Sequence, residues 1–183
     1  MQTAEAQVDY RYFSEVATLK MRESYSLEVH KSIYERLGYP SHNGGFEKAF
    51  MEFLDRDAEV ERFLKIHESL HAFAVIYYLR QDGLMATYHP DFLVGTKEKI
   101  YLVETKGNDK INDRNVRQKQ TAAVEWCRQI NELPAEKRME REWEYVLLDE
   151  ETFYRLANAA ATITDLCARC RVSLSALTGD LFS

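Results

Sequence analysis

A charged pair inside an apolar strand constrains this chain more than any other feature. The run Tyr101-Leu102-Val103-Glu104-Thr105-Lys106-Gly107 reads as a β-strand that is apolar except for Glu104 and Lys106. Alternation along a strand places those two side chains on one face. A carboxylate and an ammonium in an apolar run are costly to bury unless they are paired or bound to a cation. The preceding stretch, Tyr88-His89-Pro90-Asp91-Phe92-Leu93-Val94, reads as a neighbouring strand joined through a turn at Gly95–Lys99. It delivers Asp91 beside Glu104 across the hairpin. Two adjacent carboxylates repel unless a proton or a cation lies between them.

The rest of the chain supplies the frame for this hairpin. Phe46, Ala49, Phe50, Phe53 and Leu54 make a helical stripe after the breaker Ser41–Gly45, and Asp57 is placed to cap a second helical piece carrying Val60, Phe63 and Leu64. A further helix is expected at about 26–37. Ala72–Tyr78 reads as a strand ending in a turn at Gln81–Gly83. A helix capped by Asn112 or Asp113 runs to about Glu132, Trp143–Leu148 is a fourth strand, and residues 150–178 are helical. The order predicts an α/β fold, a mixed sheet of four or more strands flanked by helices, with a helical C-terminal extension. Residues 1–43 read as an N-terminal extension, either separate or part of the same domain, and 44–183 as the main domain with its C-terminal helices.

Asp91, Glu104 and Lys106 together suit Mg²⁺, which takes hard oxygen ligands, waters and substrate phosphate. The chemistry expected is hydrolysis of a phosphodiester, with Lys106 orienting the attacking water and offsetting transition-state charge.

The Pro90-Asp91 … Glu104-Thr105-Lys106 arrangement resembles the PD-(D/E)xK nuclease superfamily, the restriction-endonuclease-like fold. The strings YHPDFLV and YLVETKG are similar to the C-terminal nuclease domain of type III restriction enzyme Res subunits and related helicase–nucleases. The resemblance spans Gly45 to about Leu148, in the element order αβββαβ. It implies a metal held by Asp91, Glu104 and the backbone carbonyl of Thr105, with Mn²⁺ as a substitute for Mg²⁺. It also implies Glu47, from the first helix, as a further ligand, and Lys119, on the stripe Val116/Ala123/Cys127/Ile130, near the scissile phosphate. The partners implied are DNA, a motor or helicase domain and a Mod-like methyltransferase subunit. ATP enters only through that motor, since the chain carries no G-x-x-x-x-G-K-[ST] loop.

Bulk properties narrow the setting. No apolar run is long enough to span a membrane, the first residues do not read as a signal peptide, and three cysteines argue against a disulfide scaffold, so a cytoplasmic location is expected. A net charge of −6 excludes a simple basic nucleic-acid binder, although residues 88–119 carry seven Lys/Arg against five Asp/Glu. Cys167 and Cys170 lack the other ligands of a zinc site and share a helical stripe with Ile163, Leu166, Leu174 and Leu177. Two rivals stand beside the nuclease. One is an inactive nuclease fold used for binding or assembly; the other is an enzyme acting on single-stranded DNA or RNA.

Overall fold

Where a helix is expected at 26–37, the chain forms two short strands, β1 (Ser26–Glu28) and β2 (Arg36–Gly38), paired antiparallel. The computed structural model describes residues 8–107 and 115–178. The apolar residues of this stretch turn inward because they are anchored individually: Val29, Tyr34 and Leu37 are all buried in the main core. The segment before α1 therefore contributes to the same core as the rest of the domain.

The Ser41–Gly45 breaker ends where α1 (Gly45–Arg56) begins, and Phe46, Phe50 and Leu54 are buried along one side of it. A Cβ at Gly44 would overlap the Pro40 carbonyl oxygen, so this turn requires glycine. The second helical piece expected after Asp57 is instead the strand β3 (Val60–Lys65). Asp57 ends the helix, and its carboxylate accepts from the Glu59 and Ile163 amides. A register shift between Val60 and Arg62 breaks the alternation of β3. Burying Val60, Phe63 and Leu64 across that irregularity imitates a helical spacing.

The next expected strand also changes place. Only β4 (Ile76–Leu79) is extended, and it pairs with β5 (Met85–Tyr88) in a separate two-stranded sheet, through a turn with Gly83 at φ 81°. Tyr88–Val94 is not one strand. Pro90 has no N–H to give a ladder, so β5 stops before it and β6 (Phe92–Thr96) starts after Asp91. Then come β7 (Lys99–Lys106), α2 (Val116–Asn131), β8 (Glu142–Asp149), α3 (Glu150–Asn158), α4 (Ile163–Cys170) and α5 (Leu174–Thr178). The proposed caps Asn112 and Asp113 lie outside the described residues.

The main sheet has the order β3-β6-β7-β8, antiparallel across its first three strands and parallel between β7 and β8. The protein is thus α/β, with a mixed sheet flanked by helices. One face packs against α1, α3 and α4 through Phe50, Leu54, Phe153 and Ile163. The other packs against α2 and the β4–β5 hairpin through Ile76, Tyr78, Ala123 and Cys127. Cys167 is buried in the first of these cores, a free thiol like Cys127 and Cys170. Each outer strand is touched at its middle: Phe63 of β3 donates its amide to the Lys31 carbonyl, and Val146 of β8 bridges to Arg171. Among the described residues, no helix is long and apolar enough to cross a membrane.

A buried histidine ties the N-terminal segment to this body. His71 is fully buried, and its Nδ1 accepts from the His67 amide at 2.9 Å. The proton must then sit on Nε2, which donates to the Tyr34 hydroxyl at 3.0 Å; that hydroxyl donates to the Val16 carbonyl at 2.8 Å. Tyr34→Phe is expected to cost about 1–2 kcal/mol in urea unfolding, because it strands the His71 donor. Burial, and secondarily His67, lowers the His71 pKa. Below the unfolded value of about 6.5, the unfolded chain binds a proton that the folded chain refuses. This contribution to stability is therefore complete above that pH and falls as the pH drops below it. Wild type is expected to lose stability relative to His71→Gln as the pH falls from about 7 to about 5, and parallel curves would count against it.

Candidate functional site

Pro90 and the end of β7 bring the site together. The register Phe92↔Val103, continued by one residue, sets Asp91 opposite Glu104 on the α2 face of the sheet. Asp91 is half-buried, and its Oδ2 accepts from both the Thr105 amide (2.8 Å) and the Thr105 hydroxyl (2.7 Å). Glu104 is only 5% exposed although it carries a carboxyl group. Its Oε1 pairs with Lys106, two residues along the same strand face, and its Oε2 accepts from the Tyr88 hydroxyl at 2.8 Å. The Tyr88 hydroxyl also lies 3.4 Å from that of Tyr145.

The electrostatics follow from this crowding. Burial first, and the neighbouring Asp91 second, raise the Glu104 pKa from 4.5 to about 7; Lys106 and Tyr88 oppose the rise without cancelling it. Burial and the Glu104 charge push the hydroxyl pKa values of Tyr88 and Tyr145 far up, so both remain donors. Two carboxyl groups that resist being ionised together are what a divalent cation would complete. The donor set also fits: two carboxylates are hard oxygen ligands. The amide and carbonyl of one strand residue point to the same side, so the Thr105 carbonyl lies on the side where its amide meets Asp91. Asp91, Glu104 and Thr105 thus match a magnesium site in kind.

The other two expected residues stand apart from this group. Glu47, in the first turn of α1, pairs with Lys65 at 2.8 Å. Lys65 is opposite Phe92 and lies 5.6 Å from its ring centroid, on the α1 face and at the same end of the sheet as Asp91. Glu47 is held by Lys65 in this structure, and among the described residues no three His, Cys, Asp or Glu side chains gather as a metal group. Lys119 projects from α2 to within 5.9 and 6.0 Å of the Tyr78 and Tyr88 ring centroids. The nearer to Glu104 of these two rings is Tyr88, whose hydroxyl donates to the Glu104 carboxylate. Tyr88 and Tyr145 are the residues that sequence reasoning missed. The one available signal for Tyr145 is its place in the alternation of Trp143–Leu148; nothing in the spacing predicts that Tyr88, from a different sheet, turns back onto Glu104.

The raised Glu104 pKa has a measurable sign. Between about pH 4.5 and 7 the unfolded chain ionises this group while the folded chain keeps it protonated, so stability falls as pH rises and levels off above the folded value. Glu104→Gln is expected to match wild type near the acid end of that window and to exceed it by up to about 3 kcal/mol near pH 8. Thermal melts across the range check this, and a variant less stable at pH 8 would contradict it. No family model, curated protein or solved structure matches this chain, so the chemistry of the site rests on its own geometry.

Proposed function

We propose that this chain is a divalent-cation-dependent endonuclease module with a restriction-endonuclease-like core, hydrolysing DNA phosphodiester bonds. The observation that carries this reading is the Asp91–Glu104 carboxylate pair, flanked by Lys106 at one end of a mixed sheet. The order α1, β3, β6, β7, α2, β8 supports the core assignment, being the αβββαβ order of that fold.

Asp91, Glu104 and the Thr105 carbonyl would hold Mg²⁺, or Mn²⁺ in its place. When bound, such an ion polarises a phosphodiester and acidifies water beside it. The chain's own residues do the rest. Thr105 fixes the Asp91 carboxylate through two hydrogen bonds, which leaves the other oxygen to face the substrate side. Tyr88 and Lys106 hold Glu104 from either side. The Lys106 ammonium, held at Glu104, would orient the attacking water and lower the barrier by opposing the negative charge that builds on the phosphoryl oxygens. Lys119 and the Lys65–Glu47 pair flank the carboxylates from opposite faces of the sheet, as contacts to the strand rather than as ligands. The products are 5′-phosphate and 3′-hydroxyl ends. The setting is a helicase–nuclease of a restriction system, whose ATP-driven motor and Mod-like methyltransferase supply movement and site choice in the cytoplasm.

One observation favours a second reading, an inactive binding module: both Glu104 oxygens already have partners within the chain. Supercoiled-plasmid nicking separates the two. Cleavage is expected with Mg²⁺ or Mn²⁺ and none with chelator. Asp91→Asn and Glu104→Gln are each expected to reduce it by at least about a hundredfold. Lys106→Ala is expected to abolish turnover while leaving calorimetric Mn²⁺ binding nearly intact. Cleavage that survives in either carboxylate variant sinks the assignment.

A further inference from the structure

We propose that a cavity beside the Asp91–Glu104 pair binds one unpaired nucleotide of the strand being cut. The inference rests on the nuclease reading and specifies its substrate. The cavity, of about 410 Å³, lies between the N-terminal segment at 19–25, the loop at 37–41 and the end of β3 at 65–67. Its position ties it to the site: the Ile66 amide, in its wall, donates to the Asp91 backbone carbonyl at 2.8 Å. The cavity thus adjoins Asp91 on its β3 side, within reach of a strand held at the carboxylates.

The lining has the chemistry of a nucleotide. Lys20, Arg22, Lys65 and His67 line it, and no carboxylate residue does, in a chain whose net charge is −6. Lys20 and Arg22 are exposed and have no ion-pair partner among the described residues. The Tyr25 and Tyr39 rings meet edge to face at 6.2 Å in the same wall, and the Lys48 ammonium lies 5.8 Å from the Tyr39 centroid. Cations for a phosphate and aromatic rings for a base are the two parts of a single-strand binding site. The volume falls in the range of small-ligand sites, at roughly 300–1,000 Å³. A base still paired and stacked in a duplex cannot enter a recess, whereas an extruded or single-stranded one can. The cavity therefore selects for a frayed, gapped or single-stranded flank.

Fluorescence anisotropy with the full chain in chelator tests this without cleavage. Labelled oligothymidine is expected to bind more tightly than a blunt duplex of equal length, and Lys20→Ala/Arg22→Ala to weaken it about tenfold with a shallower salt dependence. Tyr25→Leu is expected to weaken it several-fold at unchanged salt slope, as loss of stacking would. Equal affinity for blunt duplex, binding indifferent to the Lys20/Arg22 pair, or competition by polyglutamate as effective as by unlabelled oligothymidine would each overturn the proposal. The two readings fail separately. Cavity-dependent binding in a protein that never nicks DNA overturns the nuclease and keeps the subsite; nicking with binding indifferent to Lys20 and Arg22 does the reverse.

Discussion

Everything at the proposed centre depends on one carboxyl group that is almost completely removed from water. Glu104 lies in β7, an inner strand of the main sheet, opposite Asp91 and between layers of apolar packing. Burial and a like charge both resist its ionisation, and Lys106 and Tyr88 offset only part of that cost. The strand, the hairpin that carries Tyr88 and the turn at Pro90 all have to be in place for this balance to exist. The fold, in effect, is assembled around a group that does not favour it.

That cost has a functional logic. Active sites are where charges are held in arrangements that stability alone would remove. A neutral, hydrogen-bonded Glu104 is the better residue for the empty protein, while an ionised one is the better ligand. In the proposed centre, taking up a divalent cation would be coupled to the loss of this proton. The recess beyond β3 extends the same logic to the proposed substrate: in a chain that is acidic as a whole, it is lined by Lys20, Arg22, Lys65 and His67 and by no carboxylate residue.

Sequence legibility followed the range of the interactions involved. Glu104, Lys106 and Asp91 could be placed together because strand alternation and a short hairpin are local rules, and both hold here. α1 was legible for the same reason, with a regular stripe and a glycine breaker. The errors lie where a tertiary contact outweighs the pattern. β3 imitated a helix because an irregularity in its pairing with β6 shifted the phase of burial. The stretch at 72–75 looked extended but turns, next to His71 and with Phe73 against Phe13. By its pattern Tyr88 heads a strand that runs through Asp91 to Val94; a missing amide at Pro90 instead gives it to another sheet and turns its hydroxyl back on Glu104. The apolar residues at 29–37 were assigned to a helix because anchoring by Tyr34 has no periodicity to detect.

The contacts at the middles of β3 and β8 also govern how the protein can meet others. An outer strand normally offers a row of free amides and carbonyls to any extended segment nearby. Here Lys31 occupies that row at Phe63, and Arg171 occupies it at Val146, so neither side has a continuous run of open positions. A strand added by another molecule along either edge would have to displace these contacts. The two edges therefore favour a partner that recognises side-chain surfaces by shape and charge over one that merely supplies a strand, and that choosiness is built into the fold.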